Sequence, residues 1–316
     1  MLTSNKNIAF QPSFEHPNMK SMMKKLDYYV LDVFTEYKFK GNQLAVVYAD
    51  EELELEQYYD IAREFGYSET SFVNYSAVGK GLKVRSFTPA KFEIIGAGHN
   101  LLGAVCLALL KKWDIFNGQN GKPWVLMAGQ KIPLDISEKN GLPYVGMKQR
   151  PAEIIGTVPA NVIAEAVGLT TDDLGLNGWE ISIVKTEVGH LMVPVRDLES
   201  LKSAALHKSK LKEASGKFGF EGCYLFTTNH FKTDYLAEAR FFNPSIGIDE
   251  DPATGTAAGP LAGYLEKVGH IQKDRDYRIL QGEYVDQPST IQVKVVSDGV
   301  WISGSSVIVM EGKLYL

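Results

Sequence analysis

The stretch REFGYSETSFV (Arg63–Val73) is answered by GKFGFEGCYLF (Gly216–Phe226), and this echo decides the fold. Working outward, LKVRSFTP, ending at Pro89, is answered by LAEARFFNP, ending at Pro244. The glycine turn at Gly98 is answered by that at Gly255, and SEKNGLPYVG (Ser137–Gly146) by VSDGVWISG (Val296–Gly304). The offset grows from 153 at Phe65/Phe218 through 155 at Arg85/Arg240 and 157 at Gly98/Gly255 to 158 at Gly146/Gly304. A drift in one direction is what a duplication with small insertions leaves, whereas chance similarity would scatter it.

Each copy has the same coarse order. Strand-like runs come first, YYVLDVF and LAVVYA in one copy, EISIVKT and LMVPV in the other. A helix is expected at Glu51 to Phe65, with a partner near Leu198 to Lys212. More strands follow, then a glycine turn and a helix, NLLGAVCLALLKKW or TAAGPLAGYLEKV, that is apolar nearly all round. A helix without a polar face must be enclosed. The expected architecture is therefore α+β: two pseudo-symmetric lobes, each a curved sheet around a central helix. The lobes are drawn at 27–146 and 178–316, with 147–177 connecting them and the C-terminal strands free to cross to the first lobe. Pro260 fits the first turn of its helix and is awkward further in.

Composition narrows the functional classes. The 316 residues are 45% hydrophobic and 22% charged, with a net charge of −5, which offers no basic face for nucleic acid or an anionic membrane. Cys106 and Cys223 are too few for a disulfide framework or a structural zinc site, and no histidine pair has ligand spacing, so no metal is expected. The polar residues 1–26 lack the apolar core of a signal peptide and the arginines of a transit peptide. They are expected to form a mobile extension, and the protein to be cytoplasmic. The longest apolar run, LLGAVCLALL, is too short to span a bilayer.

A duplication sets equivalent turns face to face across a cleft, where ligand sites usually lie. The turns are AGHN (Ala97–Asn100) and DPATGTAAG (Asp251–Gly259). Each precedes a helix, whose first N–H groups suit a carboxylate or a developing enolate. The acid–base groups are not duplicated: Glu69 aligns with Gly222 and His99 with Thr256. A repeated scaffold carrying different chemistry in its halves suits an asymmetric substrate. Asp249, Glu250 and Asp251 stand immediately before the second turn. As a helix cap, Asp251 needs no further role; close to Glu69, the pair would have one pKa pushed up and the other down, giving one proton donor and one acceptor. His99 could serve an oxyanion, a proton or only its own turn, and Thr256 could cap its helix or bind substrate.

The sequence resembles the phenazine biosynthesis PhzF-like family, which shares the diaminopimelate epimerase fold. The resemblance runs from Tyr28 almost to the C-terminus through LDVFTEYKFKGNQLAVV, FGYSETSFV, VRSFTPAKFEIIGAGHNLLGA, RFFNPSIGIDEDPATGTAAGPLAGYL and QGEYVDQPSTIQV. It implies a cofactor-free isomerase, commonly a homodimer, with the active site between the lobes. It carries the acid–base glutamate to Glu69, the glycine–histidine pair to Gly98 and His99, the aspartate to Asp251, and a serine to Thr256. This chain departs from the family at Gln43 and Asn100, and at Gly96, where a phenylalanine is common; Gly96 is expected to enlarge the pocket. Neither cysteine stands at a turn, so a two-thiol racemase is not expected. The expected function is proton movement within a small, anionic, carboxylate-bearing substrate by Glu69, His99 and Asp251, with Gly98, Asn100, Gly255 and Thr256 binding it. A non-catalytic small-molecule binding or regulatory protein on the same fold is the other reading.

Overall fold

The computed structural model describes residues 24–76, 81–116, 119, 121–230 and 232–316. Most of the extension assigned to 1–26 thus lies outside the described residues. The duplication is written in the strand pairing. In the first lobe Asn42–Tyr48 runs parallel to Thr70–Ser76, which is antiparallel to Gly81–Phe87. Gly81–Phe87 is parallel to Trp124–Met127, and Gln130–Lys139 and Leu142–Gln149 follow antiparallel. The second lobe repeats this order with Gly189–Pro194, Cys223–Thr227, Ala237–Asn243, Tyr277–Gln281, Ser289–Val296 and Gly299–Gly304.

The final strands of the two sets, Leu142–Gln149 and Gly299–Gly304, pair with one another. The strand after each then joins the opposite sheet. Ser306–Tyr315 pairs with Lys25–Val33, and Glu153–Thr157 pairs with Ser182–Lys185. Residues 147–177 are accordingly more than a connector. They hold the end of Leu142–Gln149, the strand Glu153–Thr157 and the helix Ala160–Ala166.

Each sheet wraps a central helix, His99–Leu110 or Gly255–Lys267, and both helices are buried over most of their length. Glycines set how closely the second one packs. A Cβ at Gly263 would lie 2.1 Å from the Ala152 Cβ, and one at Gly259 would lie 1.9 Å from Gln149 Oε1. Pro260 sits inside this helix, past its first turn and buried. The helix runs on through it to Lys267.

Two helix boundaries differ from the sequence reading. The first peripheral helix starts at Leu55, because Glu54 and Gln57 form a capping box at its N-terminus. The segment near Leu198–Lys212 is two helices, Leu198–Ser203 and Lys208–Phe218. Arg240 Nη1 donates to the carbonyls of Leu201, Lys202 and Ala204, satisfying the acceptors where the first of these ends. The true counterpart of Leu55–Phe65 is Lys208–Phe218, since each ends on the repeated phenylalanine with a left-handed glycine, Gly66 or Gly219, as its cap.

Candidate functional site

The two central helices start close together. A Cβ at Gly98 would lie 3.8 Å from Thr256 Cγ2, so the equivalent turns of the two halves meet. Beside them is a cavity of about 340 Å³, lined from the first lobe by Ser68, Glu69, Ile94, Ile95, Gly96, Gly98, His99 and Asn100. The second lobe adds Val188, His190, Phe241, Asn243, Ile246, Ile248, Asp251 and Thr254 to Thr256. Ile95 and Ile246 stand largely exposed at its rim. Glu69, Ile248 and Asp251 also line a neighbouring hollow of about 560 Å³ that holds Asn42, Gln43 and Tyr67.

Glu69 precedes the strand Thr70–Ser76 and is half-buried, with its Oε2 shut from solvent and without a partner among the described residues. Burial first, and the Asp251 carboxylate second, push its pKa up to about 8, while a hydrogen bond from Asn100 acts in the opposite sense. Asp251, 5% exposed, ends the short strand Ile248–Asp251 and accepts from Thr254 Oγ1 at 2.5 Å and Asn42 Nδ2 at 2.8 Å. Burial raises its pKa to about 6 in spite of those bonds. Both carboxyl groups are thus shifted upward, chiefly by burial, where one rise and one fall were expected. The other two acids of the run have structural partners: Asp249 pairs with Lys208 at 2.6 Å and Glu250 with Arg240 at 2.7 Å.

His99, 7% exposed, is the first residue of its helix. Burial depresses its pKa to about 4, so the imidazole is neutral at physiological pH, and its Nε2 has no partner among the described residues. Asn100, expected to contact substrate, lines the cavity and also binds its own turn. Its Oδ1 accepts from the Gly98 and Leu101 N–H groups at 2.8 and 2.7 Å, and its Nδ2 donates to the Gly96 carbonyl at 3.1 Å. Asn100 therefore fixes the turn and fills part of its anion-binding capacity. At the second turn the N-cap is Thr254, whose N–H donates to Gln281 Oε1 at 3.1 Å, and Thr256 lies one residue inside the helix. Gln281 Nε2 donates in turn to the Asp251 carbonyl at 2.7 Å, bracing the whole loop.

The sequence reading passed over several of these residues. Asn42, which positions Asp251, lies in the quoted KGNQL, and Asn243 lies in the quoted FFNP. His190 belongs to one of three Gly-His dipeptides in the sequence, 98–99, 189–190 and 269–270. Gly96 behaves as expected: a Cβ there would meet nothing within 4 Å. Cys106 and Cys223 are buried, and burial pushes both thiols far up. Among the described residues no group of His, Cys, Asp and Glu is arranged to hold a metal ion, and no helix is long and apolar enough to cross a membrane.

Two α+β lobes of repeated topology enclose a cavity that holds the Glu69 and Asp251 carboxyl groups, and the relatives of the chain make it an isomerase. A PhzF-family phenazine biosynthesis protein from Bacillus anthracis shares the fold, with a TM-score of 0.83 at 23% identity over 93% of this chain and 100% of that one. The family described as phenazine biosynthesis-like protein matches residues 31–312, and the chain belongs to it. An uncharacterized isomerase of Clostridium acetobutylicum is 29% identical over 93% of this chain and 100% of its own length. The trans-2,3-dihydro-3-hydroxyanthranilate isomerase of Pseudomonas aeruginosa is 28% identical over 92% of this chain and 99% of its own.

Proposed function

We propose that this isomerase works without a cofactor, moving a proton between carbons of a small carboxylate-bearing substrate held between the lobes. The observation that carries the reading is the pairing of Glu69 and Asp251 in one cavity, their pKa values pushed to about 8 and about 6 beside two helix starts. A carboxyl group titrating near neutrality exists in both forms at working pH, which is what a proton shuttle needs.

In the reaction the ionised Glu69 takes a proton from an acidic carbon of the substrate. The electron pair released passes into the conjugated system that ends at the substrate carboxylate. Helix-start N–H groups at Gly255 and Thr256 stabilise the charge that gathers there. Protonated Glu69 then returns the proton to a different carbon. Neutral His99 offers a hydrogen bond without adding charge, and Asp251, braced by Asn42 and Thr254, holds a donor group of the substrate. The counterpart of Glu69 in the second lobe is Gly222, so one carboxyl group both takes and returns the proton.

The test is exchange of substrate hydrogen with deuterated water, using trans-2,3-dihydro-3-hydroxyanthranilate and related unsaturated carboxylates. Glu69→Gln should keep binding and lose exchange by about 10²–10⁴-fold. Exchange at the wild-type rate in that variant would sink the assignment.

A further inference from the structure

A second cavity, of about 470 Å³, lies between the lobes and shares no described lining residue with the one that holds Glu69 and Asp251. Phe34 stands between them. A Cβ at Gly255, where the second central helix starts, would lie 3.3 Å from its ring. Its backbone, at φ 62°, donates to the Ser305 carbonyl at 2.9 Å and accepts from the Thr290 N–H at 2.8 Å. All three residues line the second cavity. A bulky residue at positive φ persists only where its surroundings fix it, so this wall is firmly held.

Charge is unevenly spread there. Lys40, Lys139, Lys232 and Arg278 line the cavity against the carboxylates of Glu36 and Glu283, in a chain of net charge −5. Both acids are taken. Glu36 accepts from the Tyr144 hydroxyl, and Glu283 pairs with Lys232 at 3.0 Å, with Glu238 3.5 Å from the same ammonium. On the neighbouring elements Asp276 pairs with Lys294 at 2.9 Å, and Asp234, 78% exposed, reaches Arg278 only at 3.8 Å. Lys139 makes no ion pair among the described residues and lies over the Tyr144 ring, 5.6 Å from its centroid. Arg278 lies over the Tyr235 ring at 5.4 Å. Both rings line the cavity, so their faces hold one cation from each lobe beside it.

The wall adds hydroxyls. Ser305 is 3% exposed, and its Oγ has no partner among the described residues, a costly state for a buried polar group. Thr290 and Tyr235 share a hydrogen bond at 3.1 Å in the same cavity. A guanidinium takes two oxygens side by side, and an ammonium takes a further one as a point charge. A monoanion would leave one of the two cations unmatched.

We propose that this cavity is a second ligand site, for a compact oxyanion of charge two or more, held by Lys139, Arg278 and the Ser305 hydroxyl. Phosphoryl and carboxylate oxygens share that chemistry. The site stands apart from the catalytic cavity and does not rest on the proton-transfer reading.

Calorimetric titration with pyrophosphate, citrate and acetate at constant ionic strength tests this. Pyrophosphate or citrate should saturate one site and bind on the order of tenfold or more tightly than acetate. The tighter of the two tells a phosphoryl ligand from a polycarboxylate. Lys139→Gln and Arg278→Gln should each weaken that binding by about tenfold at an unchanged melting temperature, as loss of one charged hydrogen bond does. Ser305→Ala should weaken it several-fold without lowering the melting temperature, since no bond within the protein is lost. Gly96→Phe, which crowds the catalytic cavity, should leave it unchanged. The proposal is overturned if neither polyvalent anion saturates, or if binding survives undiminished in Lys139→Gln/Arg278→Gln. Indifference to Ser305→Ala would assign binding to surface charge alone, and loss in Gly96→Phe would place the anion in the catalytic cavity; either result also overturns it. Deuterium exchange bears on the isomerase reading alone, so the two can fail separately.

Discussion

Replacing Glu69 by glutamine preserves the shape of the side chain and removes its titration. In the native protein burial and the Asp251 carboxylate hold the Glu69 proton up to about pH 8, against an ordinary value of 4.5. Between those limits the unfolded chain has released the proton and the folded protein still keeps it. The folded state then binds more protons, so stability falls as pH rises. Below the window both states are protonated, and above it both are ionised, so the slope vanishes outside. Each pH unit within it costs about 1.4 kcal/mol, and by pH 7 the wild-type protein has lost about 3 kcal/mol relative to the acid edge. Glutamine escapes this loss. Asp251, held up to about 6, adds the same slope to both proteins and cancels in the comparison. The assay is thermal unfolding of wild type and Glu69→Gln across the window and one pH unit beyond it at each end. The variant's advantage should widen steadily with pH to roughly 5 °C or more, then level off above about pH 8. Parallel curves through the window would refute the raised pKa and with it the reasoning that makes Glu69 the shuttle.

Asn42→Ala removes a donor from buried Asp251 and should destabilise the protein by about 1–3 kcal/mol in chemical denaturation at neutral pH. An unchanged midpoint would show that Asp251 does not depend on that bond. Arg240 and Glu250 form an ion pair at 2.7 Å with side chains 10% and 12% exposed, so Arg240→Met should cost about 3–5 kcal/mol by leaving the carboxylate unpaired. The double variant Arg240→Met/Glu250→Gln should recover part of that loss, and a cost equal to the sum of the single variants would contradict the pairing. Gly96→Phe points a side chain into open space beside His99; it should leave the melting temperature unchanged yet weaken carboxylate binding by calorimetric titration, and equal affinity would show that the space is not used.

The repeat, the two apolar helices and the SET, GHN and EDPATG motifs were legible in the chain because duplication and enclosure leave local marks. A slow drift in offset survives in one dimension, and a helix apolar on every side can only be interior. Capping boundaries were legible in part. Glu54 and Gln57 stand in the sequence, whereas the break between Leu198–Ser203 and Lys208–Phe218 depends on Arg240, some forty residues away in the chain. The same limit applies to the cavity. That Asn100 secures its own turn, that Asn42 holds Asp251 across more than two hundred residues, and that a Cβ at Gly222 would lie against Phe241 and His190 are facts of distance. Sequence determined which groups could carry a proton. Only the packing of two lobes decided which of them lie together, because burial and neighbouring charge, the causes of every pKa shift here, belong to surroundings assembled from remote segments of the chain.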